Sequence, residues 1–285
     1  MDVRPAASSR RFQPLVLGAL YPGIERGLSA DLLATRALGG QAFPVCTALV
    51  VAGHGVVTDV LEVPTDSVDA QLEHLFTTQA PTGAKVGIVG HPATAKAVFE
   101  RLEANLQGPL LLDLTLSGPS GEDVISPRGI EALKERLSLP DLVAIRRQDA
   151  ELIAGMEIPS LDDAQVAVQR IAQLGARRVL LRCGRIATHF FDREADSPDY
   201  AVDLYFDGDD FVLYEAPHLN TPGVHGASSA YLLPLLRALD LDVPFPEALQ
   251  AAKAHVTEAL RHGAGRESIA APDYFWRGTE EIPLS

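Results

Sequence analysis

Short apolar runs alternate with amphipathic stretches along almost the whole chain, and this alternation limits the possible folds more than any other feature. Runs typical of buried strands occur at Pro14–Leu20, Lys85–Gly90 and Leu110–Leu114. Between such runs, apolar residues spaced three or four apart predict helices. One of these helices has an N-cap candidate at Ser29 and ends before Gly39-Gly40. Strands that alternate with helices in this way predict a mostly parallel sheet with helices on both faces.

The pattern changes between Ile186 and Ala216. Three short β-rich runs, ATHFFD, VDLYFD and FVLYEA, follow one another without an intervening helix, and the acidic segment Asp207–Asp210 separates the last two. An Asp-Gly pair between strands is typical of a hairpin. This part therefore predicts antiparallel strands at one edge of the sheet, and two helices, Ala227–Leu239 and Pro246–His262, are predicted after it.

Composition narrows the class of protein. The 285 residues include 24 Lys and Arg against 38 Asp and Glu, for a net charge of −14 at pH 7. This balance excludes a dedicated nucleic-acid binder, which would present a basic surface. No run approaches the roughly 18 apolar residues of a membrane helix, and two distant cysteines exclude a disulfide scaffold. We expect a cytoplasmic protein with a flexible N-terminal tail over residues 1–13 and a single domain over residues 14–285.

The junction from Asn220 to Ser229 is the richest candidate for ligand binding. It reads NTPGVHGASS, so a loop with two glycines leads into a helix whose first turn has only small side chains. Free backbone N–H groups and the helix dipole at such a terminus favour an anion. The same glycines, Gly223 and Gly226, are equally expected in a tight turn that only allows close packing. The residues alone leave both interpretations open.

This junction and three longer segments resemble the hydroxymethylpyrimidine/phosphomethylpyrimidine kinases of the ribokinase superfamily, with pyridoxal kinases as relatives. SADLLATRALGGQAFPVCTALV is similar to the family's QADLKT…ALGA…VTALVAQNT, KVGIVG to KIGML, and LLLDLTLSGPSGEDVISPRGIEAL to a segment containing LDxVMxxxSGxxLL. The resemblance runs from about Pro14 to Gly265. It implies the ribokinase fold, a three-layer α/β/α sandwich with a mostly parallel central sheet and antiparallel edge hairpins. It also implies phosphorylation of a hydroxymethyl group on a pyrimidine or pyridoxal-type ring with Mg²⁺ and ATP, as in thiamine biosynthesis.

The resemblance assigns five positions to the substrate. Asp31 matches the carboxylate that contacts the pyrimidine in the family, and Ile88 replaces the methionine of KIGML. Ala52 falls where the family has a glutamine that reads the ring. Arg26 lies in the early loop, where the family has the small-residue sequence D-P-S-G-G-A-G. Thr115, which follows the strand Leu110–Leu114, completes this group.

Four further positions are assigned to the nucleotide and its phosphates. Gln148 and Glu151 replace the family's N-x-x-E, in which the glutamate holds magnesium through water, and Arg182 replaces the lysine of M-K-G-G-H. Asp113 lies at the end of a predicted strand. For Asp113, Glu151 and Arg182, a structural role at the ends of the sheet is the alternative.

The family's late G-T-G-C signature aligns without gaps to Gly223, Val224, His225 and Gly226, which would form the anion hole. The catalytic base of the family falls on Gly226, so that side chain is lost, and His225 is a candidate substitute because histidine titrates near neutral pH. One hypothesis is a weakly active kinase with a substitute base. The other is a catalytically silent member that binds a small molecule or a protein partner. A homodimer is compatible with both.

Overall fold

The computed structural model describes residues 11–53, 55–186, 200–220, 224–263, 265–266 and 269–277. The strands are β1 (Leu15–Leu20), β2 (Phe43–Gly53), β3 (Val56–Glu62), β4 (Ala84–Val86), β5 (Leu110–Leu114), β6 (Leu142–Arg146), β7 (Val179–Ile186), β8 (Tyr200–Phe206), β9 (Phe211–Pro217), β10 (Gly265–Arg266) and β11 (Ile269–Ala270). The helices are α1 (Leu28–Ala37), α2 (Thr65–Thr78), α3 (Pro92–Asn105), α4 (Pro127–Lys134), α5 (Arg147–Ala154), α6 (Leu161–Gln173), α7 (Ala227–Asp240) and α8 (Phe245–His262).

Nine strands form one sheet in the order β3-β2-β1-β4-β5-β6-β7-β8-β9. The strands from β2 to β7 in this order pair in parallel, whereas β3 at one edge and β8 and β9 at the other pair antiparallel. The mostly parallel sheet is therefore confirmed. The predicted hairpin of VDLYFD and FVLYEA forms β8 and β9, while the run ATHFFD lies outside the described residues. Antiparallel pairing also occurs at the opposite edge, through β2 and β3.

The side chains of the central strands alternate between two hydrophobic clusters. In β1, Leu15 and Leu17 join one cluster and Val16 the other, and in β5 Leu112 and Leu111 divide in the same way. Successive strand residues point to opposite faces, so each cluster is the core of one face. Buried residues of α2 to α6 belong to the first cluster and those of α1, α7 and α8 to the second. This arrangement confirms the α/β/α sandwich.

Three details differ from the sequence prediction. The strand predicted at Lys85–Gly90 is only the three-residue β4, because the chain leaves the sheet after Val86. Helix α1 begins at Leu28 with Gly27, not Ser29, at the N-cap. Gly27 has φ +59°, and a Cβ there would lie 2.2 Å from the carbonyl oxygen of Ala19, so the close contact with β1 sets the start of the helix.

The N-terminal tail was predicted over residues 1–13, but Phe12 and Gln13 are already packed. Phe12 is 2% exposed and belongs to the second cluster. Its carbonyl accepts a hydrogen bond from the backbone N–H of Gln41, and Gln13 exchanges hydrogen bonds with Thr82. Across the described ranges, no helix combines the length and apolar character required to span a bilayer.

Candidate active site

The order of the strands identifies where a ligand would bind. From β1 the chain moves to β2 and β3 on one side, and it then crosses to β4 and the remaining strands on the other. Sheets of this type bind ligands beyond the carboxyl ends of the strands at such a reversal. A cleft of about 700 Å³ lies there, lined by the ends of β1 and β4, by β7 and by the start of α7.

Charge within the cleft differs from charge over the whole chain. Among the described residues, four basic side chains and two carboxylates line it: Arg26, Lys85, Arg146, Arg182, Asp31 and Asp113. The lining is therefore positive in a chain with a net charge of −14. A local excess of cations in a cleft attracts anionic ligands.

A chain of buried charges forms the floor of the cleft. The Nζ atom of Lys85 lies 2.9 Å from an oxygen of Asp31 and 3.3 Å from Oδ2 of Asp113. The other oxygen of Asp113 accepts a hydrogen bond from Nη2 of Arg182 at 2.8 Å, and Ser228 donates to Oδ2 at 2.5 Å. Lys85, Asp31 and Asp113 are 2%, 1% and 5% exposed. The ion pairs join α1, β4, β5 and β7 at one point, and the hydrogen bond from Ser228 adds α7.

Burial and ion pairing have opposite effects on the pKa values of these buried charged residues. Burial would lower the pKa of Lys85, but the two neighbouring carboxylates outweigh it and raise the pKa. Burial raises the pKa of Asp31 more than Lys85 lowers it. Burial also opposes ionisation of Asp113, yet Arg182 and Lys85 hold its pKa at about 2. Lys85 and Asp113 are consequently both charged at neutral pH.

The low pKa of Asp113 predicts how stability depends on pH. A pKa lowered from 3.8 to about 2 stabilises the folded state by about 2 kcal/mol above pH 4, and this stabilisation is lost as the pH falls from 4 to 2. We expect Asp113→Asn to lower the free energy of unfolding by about this amount at pH 7. Urea denaturation between pH 7 and pH 3 would show the difference from the wild type narrowing with acid.

The matched control for Asp113→Asn is Asp69→Asn. Asp69 also pairs with an arginine, Arg101 at 2.7 Å, but both side chains are 34% exposed. Exposed pairs of this kind contribute about 0–1 kcal/mol. A cost for Asp113→Asn no larger than that for Asp69→Asn would contradict the prediction.

A third buried carboxylate, that of Asp149, lies beside the cleft. Asp149 accepts hydrogen bonds from the backbone N–H and the hydroxyl of Ser117, at 3.1 and 2.7 Å, and from Nε of Arg146 at 2.7 Å. Gln148 donates to the hydroxyl of Ser117 at 2.8 Å and to the carbonyl of Gly118 at 3.2 Å. Both side chains thus hold the loop after β5, and Asp149 also binds Arg146, which lines the cleft.

The roof of the cleft is held by Glu122. One carboxylate oxygen accepts from the backbone N–H of Val57 at 3.0 Å, and the other accepts from that of Ser120 at 3.0 Å. The hydroxyl of Ser120 donates to the carbonyl of Gly55. Hydrogen bonds from its own backbone N–H and from those of Ser120 and Val57 lower the pKa of Glu122. The contacts of Glu122 and Ser120 join the β2–β3 hairpin to the loop after β5.

His225 and Gly226 form the entry to α7 and line the cleft. Burial, with a smaller effect of Arg26, lowers the pKa of His225 below 6.5, so the imidazole is neutral at pH 7 and can accept a proton. Arg26 also lies over the ring of Tyr21, 5.2 Å from its centroid. This cation–π contact orders the early loop beside His225.

Gly226 is the N-cap of α7 and has φ +78°. A Cβ at this position would lie 2.1 Å from the hydroxyl oxygen of Tyr274, 2.9 Å from the carbonyl oxygen of Glu25 and 3.4 Å from Cβ of Ala30. None of these three residues is among those that line the cleft. Both the backbone conformation and the available space therefore require glycine at residue 226.

The sequence-predicted residues separate into three groups. Nine line the cleft: Arg26, Asp31, Ile88, Asp113, Thr115, Arg182, Val224, His225 and Gly226. Ala52 packs against the hydrophobic core, Gln148 binds the loop after β5, and Glu151 accepts from the backbone N–H of Ile158 at 3.1 Å. None of these three is a lining residue. Gly223 lies outside the described residues.

Sequence reasoning missed Lys85, Arg146 and Tyr274, and it included Ser228 only as a small residue of the candidate anion site. A lysine inside the apolar run KVGIVG is the one available signal, because a buried charge requires a partner. Arg146 has ordinary surroundings in the sequence, and no signal there links Ser228 to Asp113. Nothing near Tyr274 indicates its contact with Gly226, 48 residues earlier.

The described residues do not fit the magnesium site implied by the resemblance. Glu151, the expected ligand, is turned to a backbone N–H outside the cleft. Both oxygens of Asp113 are already paired with Arg182, Lys85 and Ser228. Across the described part of the chain, no group of three or more His, Cys, Asp or Glu side chains is arranged to hold a metal.

Comparison with known proteins agrees with this architecture. The profile of the family described as phosphomethylpyrimidine kinase matches residues 25–272. A hydroxymethylpyrimidine/phosphomethylpyrimidine kinase of Aquifex aeolicus is 32% identical over 241 residues, which cover 83% of this chain and 89% of that protein.

Two solved structures share the fold. The pyridoxal kinase of Staphylococcus aureus in complex with AMP-PCP and pyridoxal has a TM-score of 0.80 at 23% identity, over 96% of this chain and 97% of that one. The pyridoxal kinase of Bacillus subtilis in an ADP complex has a TM-score of 0.79 at 20% identity, over 93% and 98%. The profile match extends over most of the sequence, and the chain belongs to the phosphomethylpyrimidine kinase family.

Proposed function

We propose that this protein transfers the γ-phosphoryl group of ATP to the hydroxymethyl group of a small pyrimidine or pyridoxal-type ring, and that it does so slowly. The observation that carries the proposal is the convergence of Arg182, Asp113 and the first turn of α7 on one positively lined cleft. The family relationship supports the reaction type. A fold relative that binds AMP-PCP and pyridoxal together supports one cleft for nucleotide and ring.

The reaction requires the alcohol oxygen to attack the γ-phosphorus while the bond to the β–γ bridging oxygen breaks. The hydroxyl proton must leave, and the neutral imidazole of His225 is the acceptor that we assign. Arg182 and the N–H groups at the start of α7 stabilise the charge on the transferred phosphoryl group. Positioning and charge stabilisation supply most of the catalysis in phosphoryl transfer, so the cleft retains the larger part of the machinery.

The slow rate follows from residue 226. A positioned general base contributes about 10²–10⁴-fold. Gly226 has no side chain to act as one, and the substitute, His225, is a weak base because burial lowers its pKa, so we expect it to supply only the lower end of that range. This observation also favours a second candidate function, in which the protein binds the ring without phosphorylating it. The two candidate functions differ in whether the phosphoryl group is transferred, but both require that the ring binds.

Phosphorus NMR with folded protein, magnesium, ATP and either hydroxymethylpyrimidine or pyridoxal would separate them. We expect ADP and a phosphomonoester to form in equal amounts. Both should form faster than ADP forms by ATP hydrolysis when the alcohol is absent. Calorimetric binding of the alcohol with no phosphomonoester would support the second candidate. Absence of both binding and turnover with pyrimidine and pyridoxal alcohols would contradict both.

A further inference from the structure

The segment Ala271–Arg277 packs against α8 and the start of α7. The backbone N–H of Asp273 donates to the carbonyl of Ala259 on α8 at 2.8 Å. The ring of Trp276 is parallel to that of His262, with centroids 5.8 Å apart. These contacts place Tyr274, which is 5% exposed, beside the N-terminus of α7.

Tyr274 donates a hydrogen bond from its hydroxyl to the carbonyl oxygen of Gly226 at 3.2 Å. The same carbonyl accepts the first intrahelical bond of α7, from the N–H of Ala230 at 3.1 Å. Burial, Asp31 and Glu25 raise the pKa of Tyr274, so the phenol is a neutral donor. Tyr274 therefore supplies a second donor to the cap carbonyl of α7.

The peptide held in this way lies between side chains that line the cleft. His225 precedes Gly226, and Ser228, which donates to Asp113, follows it. The hydroxyl of Tyr274 also fills the space next to the α-carbon of Gly226, where a Cβ would be only 2.1 Å away. We therefore expect a displacement of Tyr274 to shift the Gly226 peptide, which is bonded to His225 and begins the first turn of α7.

We propose that Tyr274 is a positioning residue of the cleft: its hydroxyl fixes the Gly226 peptide and thereby the orientation of His225 and of the first turn of α7. The role of the cleft in phosphoryl transfer rests on the proposed function. The contact of Tyr274 with Gly226 does not, so the two can be tested apart.

Tyr274→Phe removes the hydroxyl, and Tyr214→Phe is its matched control. Tyr214 is 4% exposed, lies in the same hydrophobic cluster and donates to the carbonyl of Pro246 at 3.1 Å. Each variant loses one buried hydrogen bond to a backbone carbonyl, so we expect both to lower Tm by roughly 2–4 °C. Only Tyr274→Phe should alter the cleft.

The effect of each variant on the cleft can be measured without any ligand, from the NMR titration of the His225 imidazole. The signals of this imidazole are assigned with His225→Gln. Looser packing in Tyr274→Phe should admit water and raise the pKa of His225 toward 6.5, whereas Tyr214→Phe should leave it unchanged. An unchanged His225 titration in Tyr274→Phe, or an equal shift in both variants, would overturn the positioning role.

A double-mutant cycle tests the contact itself. Gly226→Ala introduces a Cβ against the hydroxyl of Tyr274, and in Tyr274→Phe that atom is gone while the strain at φ +78° remains. We expect Gly226→Ala to lower Tm less in the Tyr274→Phe background than in the wild type. Equal losses in both backgrounds would overturn the contact. Neither measurement depends on turnover, so a failure of the phosphoryl-transfer proposal would remain distinguishable.

Discussion

Replacing Lys85 by methionine is expected to lower the free energy of unfolding by about 3–5 kcal/mol, the usual cost of removing one partner of a buried ion pair. The side chain of Lys85 is 3% exposed and lies within 3.3 Å of both Asp31 and Asp113. Without the ammonium group, two buried carboxylates face each other. Asp113 retains Arg182, but Asp31 loses its cation, so protonation of Asp31 should accompany the loss. Urea denaturation at pH 7 would measure the decrease in the free energy of unfolding.

Lys96→Met is the control for this prediction, because Lys96 is 63% exposed and 3.9 Å from Glu100. Its removal should cost less than about 1 kcal/mol. Adding Asp31→Leu to Lys85→Met removes the unpaired carboxylate and should recover roughly half of the loss or more. Equal stabilities for Lys85→Met and Lys96→Met would show that the buried charges contribute little.

His225→Gln is expected to lower kcat by about 10²-fold, the lower end of the range for a general base, if the imidazole accepts the proton of the alcohol. The pKa of His225 lies below 6.5, so the neutral, proton-accepting form dominates at pH 7. The rate in the wild type should rise with pH through that pKa and level off above it. In His225→Gln this rise should disappear, and steady-state assays between pH 5 and pH 8 would show it.

The control for His225→Gln is His74→Gln on the exposed side of α2. It changes the same kind of side chain outside the cleft, and its kcat and pH profile should match those of the wild type. A His225→Gln enzyme with unchanged kcat would rule out the imidazole as the base. Phosphoryl transfer would then proceed without a side-chain base near α7.

The sequence predicted the layers of the fold because burial on both faces imposes a visible pattern. Runs such as Leu110–Leu114 are apolar except for one residue, Asp113, and the Asp-Gly turn between β8 and β9 is a local signal. The predicted length of β4 was wrong because KVGIVG is apolar apart from Lys85, yet Gly87 and Ile88 face the cleft instead of continuing the sheet. Hydrophobicity alone does not distinguish a strand from the apolar wall of a pocket.

The resemblance led to residues that lie together in the cleft, but it did not lead to residues whose position depends on distant partners. Asp31, Asp113 and Arg182 were identified through the resemblance and do meet in the cleft, but Lys85, which joins two of them, was not. Glu151 retains the family's residue type, while its carboxylate binds a backbone N–H elsewhere. Side-chain direction is set by tertiary packing, which a local motif does not encode.

The hydrogen bonds of Ser228 and Tyr274 also join parts of the cleft that are synthesised at different times. Ser228 lies 115 residues after its partner Asp113, and Tyr274 lies 48 residues after Gly226. At a ribosomal rate of 5–20 residues per second, Ser228 follows Asp113 by roughly 6–23 s. For that interval the charges of Asp31, Lys85 and Asp113 remain accessible to water and to chaperones. The nascent chain must therefore keep the middle of its sheet soluble until α7 is made.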